Sequence, residues 1–206
     1  MKKEVIINVD DNGNYKISRF IRILDTKNKE YKVYYKGKYY KKESKDIKIR
    51  QITQLVEALN IKNKKDRLGY VYDKACDILD DDFYGKNVCK FKNNSCMQDR
   101  LKKEKTDGCC RCHNNKEHCI YLVNHRCTIR CMACKFHICA CLKKLGFKYS
   151  VNDITVLKYL LNWKQKIIIY LDFFQTKEEV LKDIYKNSLI IWAFKKDRKN
   201  FINDGK

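Results

Sequence analysis

Cysteine is the residue type in this chain whose number and spacing could do chemistry. Eleven of the twelve cysteines in the 206 residues fall within residues 89–141. Two pairs have the CxxC spacing, with 18 residues between them: Cys109 with Cys112, and Cys131 with Cys134. A CxxC turn lets two thiolates converge on one ion, and two such turns complete the tetrahedral ligand set that zinc prefers. The sequence therefore predicts a metal site held by these four residues.

The other cysteines of the segment are numerous enough for a second site, so we predict about two zinc ions per chain. Spacing alone does not assign the second ligand set. Its predicted members are Cys89, Cys96, Cys119, Cys127 and Cys139. Four thiolates also suit iron, so a [4Fe–4S] cluster is the alternative cofactor. Cys76, in contrast, lies in an apolar helical pattern and is predicted to be a core residue.

Disulfides are the competing explanation for so many cysteines, and they require an oxidising compartment. The first apolar run, Val5 to Val9, is interrupted at Asp10 before it reaches the length of a signal peptide. No apolar stretch approaches the roughly 18 residues that a membrane-spanning helix needs. We therefore expect a cytoplasmic protein with reduced thiols and no membrane partner.

Two resemblances to known proteins rest on cysteine spacing. Cys127, Cys131 and Cys134 have the CxxxCxxC spacing of radical S-adenosylmethionine enzymes, in which three cysteines hold a [4Fe–4S] cluster. Ala133 stands where that family has an aromatic residue. The chain beyond Cys134 is predicted to be helical, which disfavours the partial α/β barrel of that family. The cysteine pattern from Cys109 to Cys139 also resembles small uncharacterised cysteine-cluster proteins of low-GC bacteria and their mobile elements. That resemblance implies zinc or iron–sulfur binding and assigns no further residue roles.

The charge balance points to a polyanionic partner. The formal net charge is +21, and residues 87–150 contain 14 basic and 4 acidic side chains. A protein this basic is attracted to nucleic acid, either RNA or DNA. An acidic or nucleic-acid-bound protein partner is the alternative. Frequent Lys, Asn, Ile and Tyr with no Pro also match the residue usage of an AT-rich genome, which would make part of the charge incidental.

Residues 31–42 alternate lysine with tyrosine, a composition that suits phosphates and stacked bases. If the segment alternates as one strand, one parity faces solvent and the other, which includes Tyr39, faces a core. The solvent-facing set is predicted to contact nucleic acid: Lys32, Tyr34, Lys36, Lys38, Tyr40 and Lys42. An ordinary solvated sheet face is the alternative. Four cations near the cysteines are also predicted to contact nucleic acid: Arg111, Arg126, Arg130 and Lys135. The alternative is that they donate hydrogen bonds to the cysteine sulfurs.

The elements that position these residues suggest an α+β protein in three regions. Residues 1–86 are predicted to form an antiparallel sheet with helices. Residues 87–148 form the cysteine-rich metal module, which has little apolar periodicity and would depend on metal for folding. Residues 149–206 are predicted to form a helical hairpin.

Local signals predict the individual elements. In the first region we expect two β-hairpins, one joining Val5–Val9 to Tyr15–Leu24 and one over Glu30–Lys42 that folds at Gly37. Asp46 is predicted to cap a helix with an apolar stripe, and a second helix is predicted over Lys64–Leu79. Capping boxes at Ser150 and Thr176 predict the two helices of the hairpin. The acidic run Asp80-Asp81-Asp82 is interpreted as a solvated turn.

These features favour a zinc-dependent, non-catalytic nucleic-acid-binding protein. The alternative is a phage or mobile-element protein that inhibits or adapts a host nuclease complex such as a CRISPR effector. A third hypothesis is an iron–sulfur protein or enzyme. The sequence contains no P-loop, HExxH, GxSxG or dinucleotide fingerprint, so enzyme activity remains uncertain and is disfavoured.

Overall fold

The structure, a computed structural model, shows a mixed α+β protein. It describes residues 2–18, 21, 28–88, 90, 122–123, 126–127, 130–138, 140–173 and 175–195. The chain divides into two compact units: Met1–Ile78 with Ser150–Asn162, and Leu79–Tyr149 with Trp163–Lys206. These units cut across the three sequence regions, because residues 150–162 join the first unit.

A three-stranded sheet opens the first unit, in the order β1 (Lys3–Asn8), β2 (Lys29–Tyr35), β3 (Lys38–Tyr40). Strands β1 and β2 are parallel, whereas β2 and β3 are antiparallel. The sheet is therefore mixed, and the prediction of an antiparallel sheet is correct only for β2 and β3. The hairpin that folds at Gly37 is confirmed.

The first predicted hairpin is seen only in part, and residues 19, 20 and 22–24 of its second run lie outside the described residues. Among the described residues, the chain that follows β1 returns to it through a single antiparallel bridge, between Val9 and Tyr15. The side chain of Asp10 accepts hydrogen bonds from the backbone N–H groups of Asn12 and Asn14, and these bonds close the turn tightly. The rest of β1 pairs with β2 instead, which brings the buried residues of both strands to one face of the sheet.

Two predicted helices follow the sheet and are confirmed: α1 (Ile47–Asn60) and α2 (Lys64–Asp80). The Asp46 side chain accepts a hydrogen bond from the backbone N–H of Lys48 and caps α1, as its position predicted. The apolar stripe of α1 packs against β2. The stripe consists of Ile49, Ile52, Leu55, Val56 and Leu59, all buried. Cys76 on α2 is fully buried, as predicted for a core residue.

The capping box at Ser150 is confirmed, but it begins a short 3-10 turn, Val151–Asp153. Two helices of the described chain come next, α5 (Thr155–Leu160) in the first unit and α6 (Trp163–Leu171) in the second. Helix α5 packs against α1, and the backbone N–H of Thr155 donates a hydrogen bond to the side chain of Gln51 at 2.9 Å.

In the second unit, described elements before α6 are β4 (Leu122–Val123), β5 (Arg126–Cys127), α3 (Met132–Phe136) and α4 (Ala140–Lys144). The capping box at Thr176 is confirmed and begins α7 (Lys177–Lys186), which contacts α6. Residues 189–195 form helix α8. The predicted C-terminal helical hairpin is not confirmed, because residues 150–195 contain four separate helices in two units.

Candidate nucleic-acid interface and cysteine segment

The structure describes only part of the predicted metal-ligand set. It includes the side chains of Cys131 and Cys134 and the backbone of Cys127. The other predicted ligands lie outside the described residues: Cys89, Cys96, Cys109, Cys112, Cys119 and Cys139. Within the described part of the chain, no group of three or more His, Cys, Asp or Glu side chains could hold a metal ion.

Cys131 and Cys134 share the first turn of helix α3. Cys131 is the N-cap residue and Cys134 follows three positions later, so both side chains lie on one side of the helix. Both thiols are free of disulfide bonds. Cys131 is buried, and its Sγ donates to the carbonyl oxygen of Asp172 at 3.6 Å. The described residues therefore include the side chains of two of the four ligands predicted for the first site.

Lys135 does not meet the requirement for a phosphate contact. Its side chain is 1% exposed, and its Nζ forms an ion pair with the Asp80 carboxylate. Helix α3 turns Lys135 inward, toward Asp80 at the end of α2. An enclosed ammonium that already has a carboxylate partner cannot reach the backbone of a nucleic acid. The position of Lys135 therefore gives no support to the prediction that it contacts nucleic acid, which stays a prediction.

The remaining predicted cations near the cysteines are only partly described. Arg130 is half-buried and lies in the left-handed region of backbone conformation, at φ 52°. The structure gives the backbone of Arg126 in β5, and Arg111 lies outside the described residues. Their roles stay predictions.

The acidic run after α2 is a structural feature that the sequence did not predict. Residues Asp81–Gly85 continue the helix as a π-helical turn. Asp82 accepts a hydrogen bond from the Tyr149 hydroxyl at 2.9 Å and forms an ion pair with Lys86. With Asp80 paired to Lys135, the run is not a simple solvated turn. The carboxylates of Asp80 and Asp82 bind side chains of the second unit.

The lysine and tyrosine residues of the β2–β3 hairpin divide between two faces differently from the prediction. The turn has two residues, Lys36 and Gly37, both with positive φ, as in the tight turns that join antiparallel strands. Cross-strand partners share a face, and Tyr34 is paired with Tyr39 whereas Val33 is paired with Tyr40. A two-residue turn thus reverses the parity of the second strand.

This reversal changes which tyrosines face solvent. Tyr34 and Tyr39 are 36% and 60% exposed, whereas Tyr40 is half-buried on the face of Val33. The ring centroids of Tyr34 and Tyr39 are 4.9 Å apart, with an angle of 50° between the ring planes. Ile6 on β1 is 43% exposed on the same outer face of the sheet. Assigning Tyr40 to the solvent face and Tyr39 to the core was therefore wrong.

Two lysines of the outer face have carboxylate partners. Lys32 forms an ion pair with Glu4, and the hydrogen bond to Glu4 raises the pKa of the Lys32 ammonium. Lys41 forms an ion pair with Glu30 at 2.6 Å, and the hydrogen bond from Lys41 lowers the pKa of the Glu30 carboxyl. The middle of this face therefore combines paired charges with aromatic and aliphatic surface.

Exposed lysines lie around the turn and just beyond β3. Lys36, Lys38 and Lys42 are exposed, and none of them forms an ion pair with any residue that the structure describes. The ammonium of Lys36 lies 5.3 Å from the ring centroid of Tyr35, a residue of the inner face. These three of the predicted contacts remain accessible to an anion.

No protein-family model, curated protein or solved structure matches this chain. Among the residues that the structure describes, no helix has both the length and the apolar character needed to cross a lipid bilayer. The function must therefore be argued from the side chains themselves.

Proposed function

We propose that this chain is a zinc-dependent protein that binds nucleic acid and does not catalyse a reaction. The single observation that carries the proposal is the cluster of exposed cations at the β2–β3 hairpin. Lys36, Lys38 and Lys42 are exposed on or next to the same hairpin that carries the exposed rings of Tyr34 and Tyr39. Cations next to aromatic faces are the combination with which proteins hold nucleic-acid strands.

Electrostatics favours a polyanion over a neutral ligand at this hairpin. The chain has a formal net charge of +21, so a phosphate backbone approaches down a favourable potential. Each lysine that meets a phosphate releases a condensed counterion, which makes binding depend strongly on salt. Lys32 and Lys41 already neutralise carboxylates. The lysines around the turn are therefore the ones that we expect to release counterions.

The cysteine segment supports the metal part of the proposal. Residues 89–141 hold eleven cysteines. Cys131 and Cys134, which form one of the CxxC pairs, lie on one helical turn and are not joined in a disulfide. These two would supply half of one zinc site, and Cys109 and Cys112 the other half. Zinc bound there would act by stabilising the fold of the segment. An iron–sulfur cluster is the alternative occupant.

Salt-dependent binding tests the proposal. We expect the affinity of the metal-loaded protein for RNA or DNA to fall with salt at about 0.7–0.9 log units per phosphate contact for each log unit of salt. Replacing Lys36, Lys38 and Lys42 together by Ala should reduce this slope by about two to three. Lys32→Ala is the matched control and should change the slope less, because Lys32 is paired with Glu4. Undetectable binding at roughly 150 mM salt would contradict the proposal.

A protein-directed inhibitor or adaptor is the second candidate, and one feature of the second unit favours it. Helix α8 exposes three large apolar side chains, Ile190 at 71%, Ile191 at 49% and Phe194 at 67%. Apolar residues grouped in this way suit a protein surface better than a phosphate backbone. Copurification of a protein partner that is lost with Phe194→Ala, together with undetectable nucleic-acid binding, would favour this candidate.

A further inference from the structure

We propose that the Tyr34–Tyr39 pair is a stacking platform for the unpaired bases of single-stranded nucleic acid, with the phosphates held by lysines of the adjoining turn. The inference rests on the proposed function and adds the strand state of the ligand and the residues that recognise it. The platform consists of the rings of Tyr34 and Tyr39, and its cations are Lys36 and Lys38.

The geometry of the platform suits base faces. The two rings are direct cross-strand neighbours, so the backbone of the hairpin holds them side by side. Their centroids are 4.9 Å apart and their planes are tilted by 50°, so the two rings adjoin on the outer face of the sheet and each presents its own face to a base. Ile6 on β1 extends this surface with aliphatic area. The inner face of β2 packs against α1, so a base can reach the sheet only from the outer face.

The distribution of charge separates a place for bases from a place for phosphates. Around the rings, Lys32 pairs with Glu4 and Lys41 pairs with Glu30, so this part of the face has little net charge. The exposed cations of Lys36 and Lys38 lie at the turn, one residue pair beyond the Tyr34–Tyr39 pair. Lys38 is paired with Tyr35, so a phosphate would meet it at the end of the hairpin rather than on the outer face. A strand whose backbone follows the turn can place its bases over the rings.

An unpaired base is required because a duplex hides the faces of its bases. Duplex DNA presents base edges in its grooves, and an aromatic ring on a sheet surface cannot stack on them. Single strands expose their faces, and aromatic side chains stack on these in a sequence-tolerant way. The other arrangement open to this hairpin is a ribbon in the major groove, where the tyrosine hydroxyls would bond to base edges. Removing only the hydroxyl therefore distinguishes the two.

The experiment measures fluorescence anisotropy of labelled oligothymidylate, oligouridylate and a duplex. Each has about 12 nucleotides or base pairs, within the roughly 4–16 nucleotides that one such surface covers. We expect the full-length metal-loaded protein to bind one or both single strands at least about fivefold tighter than the duplex, the contribution of one stacked base. Comparison of the thymidylate and uridylate probes shows whether DNA or RNA is preferred.

Variants separate stacking from charge. Tyr34→Ala and Tyr39→Ala should each weaken single-strand binding by about 5- to 150-fold with little change in the salt slope. Tyr34→Phe and Tyr39→Phe, which keep the ring, should stay within about twofold. Trp163→Ala removes another exposed ring that has a lysine over it, and it should have no effect. Far-UV circular dichroism checks that each variant is folded.

A second measurement uses the unaltered protein and does not depend on the folding of a variant. An oligonucleotide that contains 5-iodouracil is photo-crosslinked to it, and mass spectrometry locates the adduct. We expect adducts on Tyr34 or Tyr39. Adducts found only elsewhere, equal affinity for duplex, or loss of binding with Tyr39→Phe would each overturn the stacking platform. If no probe binds in a salt-dependent way, the proposed function fails as well, so the two failures are distinguishable.

Discussion

The ion pair between Lys135 and Asp80 leads to a prediction about the second unit. The Lys135 side chain is 1% exposed and that of Asp80 is 21% exposed, so the ammonium is the more deeply buried partner. Replacing Asp80 by Ala leaves this ammonium enclosed without its carboxylate. Breaking a buried pair in this way costs about 3–5 kcal/mol, because the remaining charge is not solvated.

The partner substitution should be far milder. Lys135→Met removes the buried charge and keeps the length of the apolar stem, and the Asp80 carboxylate that it leaves behind is 21% exposed, so water can solvate it. The double variant Asp80→Ala with Lys135→Met should therefore be about 2–4 kcal/mol more stable than Asp80→Ala alone. Asp80→Asn is a control that keeps the shape and a hydrogen-bond acceptor.

The chain offers a convenient probe for this measurement. Its two tryptophans, Trp163 and Trp192, both belong to the second unit, so tryptophan fluorescence during urea denaturation reports on that unit. With a slope of about 2 kcal/mol per molar urea, Asp80→Ala should lower the midpoint by roughly 2 M. If the effects of the two single substitutions simply add, the reasoning is refuted. A lower salt slope for nucleic-acid binding in Lys135→Met would show that Lys135 meets a phosphate after all.

Three further predictions concern other parts of the chain. Asn60→Ala should lower the free energy of unfolding by about 2–4 kcal/mol, because the Asn60 side chain forms hydrogen bonds with both the backbone N–H and the carbonyl of buried Tyr31. Chemical denaturation followed by circular dichroism measures this change, and a loss below about 1 kcal/mol would contradict the prediction. Hydrogen bonds from Asn14 lower the pKa of Asp10, so the ionised carboxylate stabilises the fold. Asp10→Asn should therefore lower the free energy of unfolding at pH 7, and this difference from the unaltered protein should shrink as the pH falls below about 4. A difference that stays constant with pH would be inconsistent with this reasoning. Cys134→Ser should reduce metal content by elemental analysis, whereas Cys76→Ala should keep it and cost about 1–2 kcal/mol of packing; full metal content in Cys134→Ser would exclude Cys134 as a ligand.

Features encoded in short stretches of sequence were predicted well. The stripe of α1 and its cap at Asp46 follow from helical spacing and a side chain that accepts from the backbone. The capping boxes at Ser150 and Thr176 were recognised from four residues each. The hairpin at Gly37 follows from a glycine between two strand-like runs. In each case the decisive contact lies within a few residues.

Features that depend on distant contacts were missed. The parallel pairing of β1 with β2 joins Ile7 to Val33 across a long connection, and no local signal specifies it. The same is true of α5, which joins the first unit through the bond between Thr155 and Gln51. Predicting the burial of Lys135 required knowledge that Asp80 lies opposite it. The face of Tyr39 was predicted wrongly for a local reason. The two-residue turn at Lys36 and Gly37 reverses which residues of the next strand face solvent, and the sequence contains that turn.

The net charge of +21 is a sum, and it does not identify the lysines that a ligand can use. Carboxylates neutralise many of them individually, as Glu43 does for Lys74 and Asp183 does for Lys195. An ion-paired lysine that binds a phosphate must first leave its carboxylate or share its charge, so it releases fewer counterions than an exposed lysine without such a partner. If binding is localised at the hairpin, the salt slope for nucleic-acid binding should therefore reflect the few exposed lysines around the β2–β3 turn. A slope close to the full net charge would mean that binding is spread over the whole surface rather than localised at the hairpin.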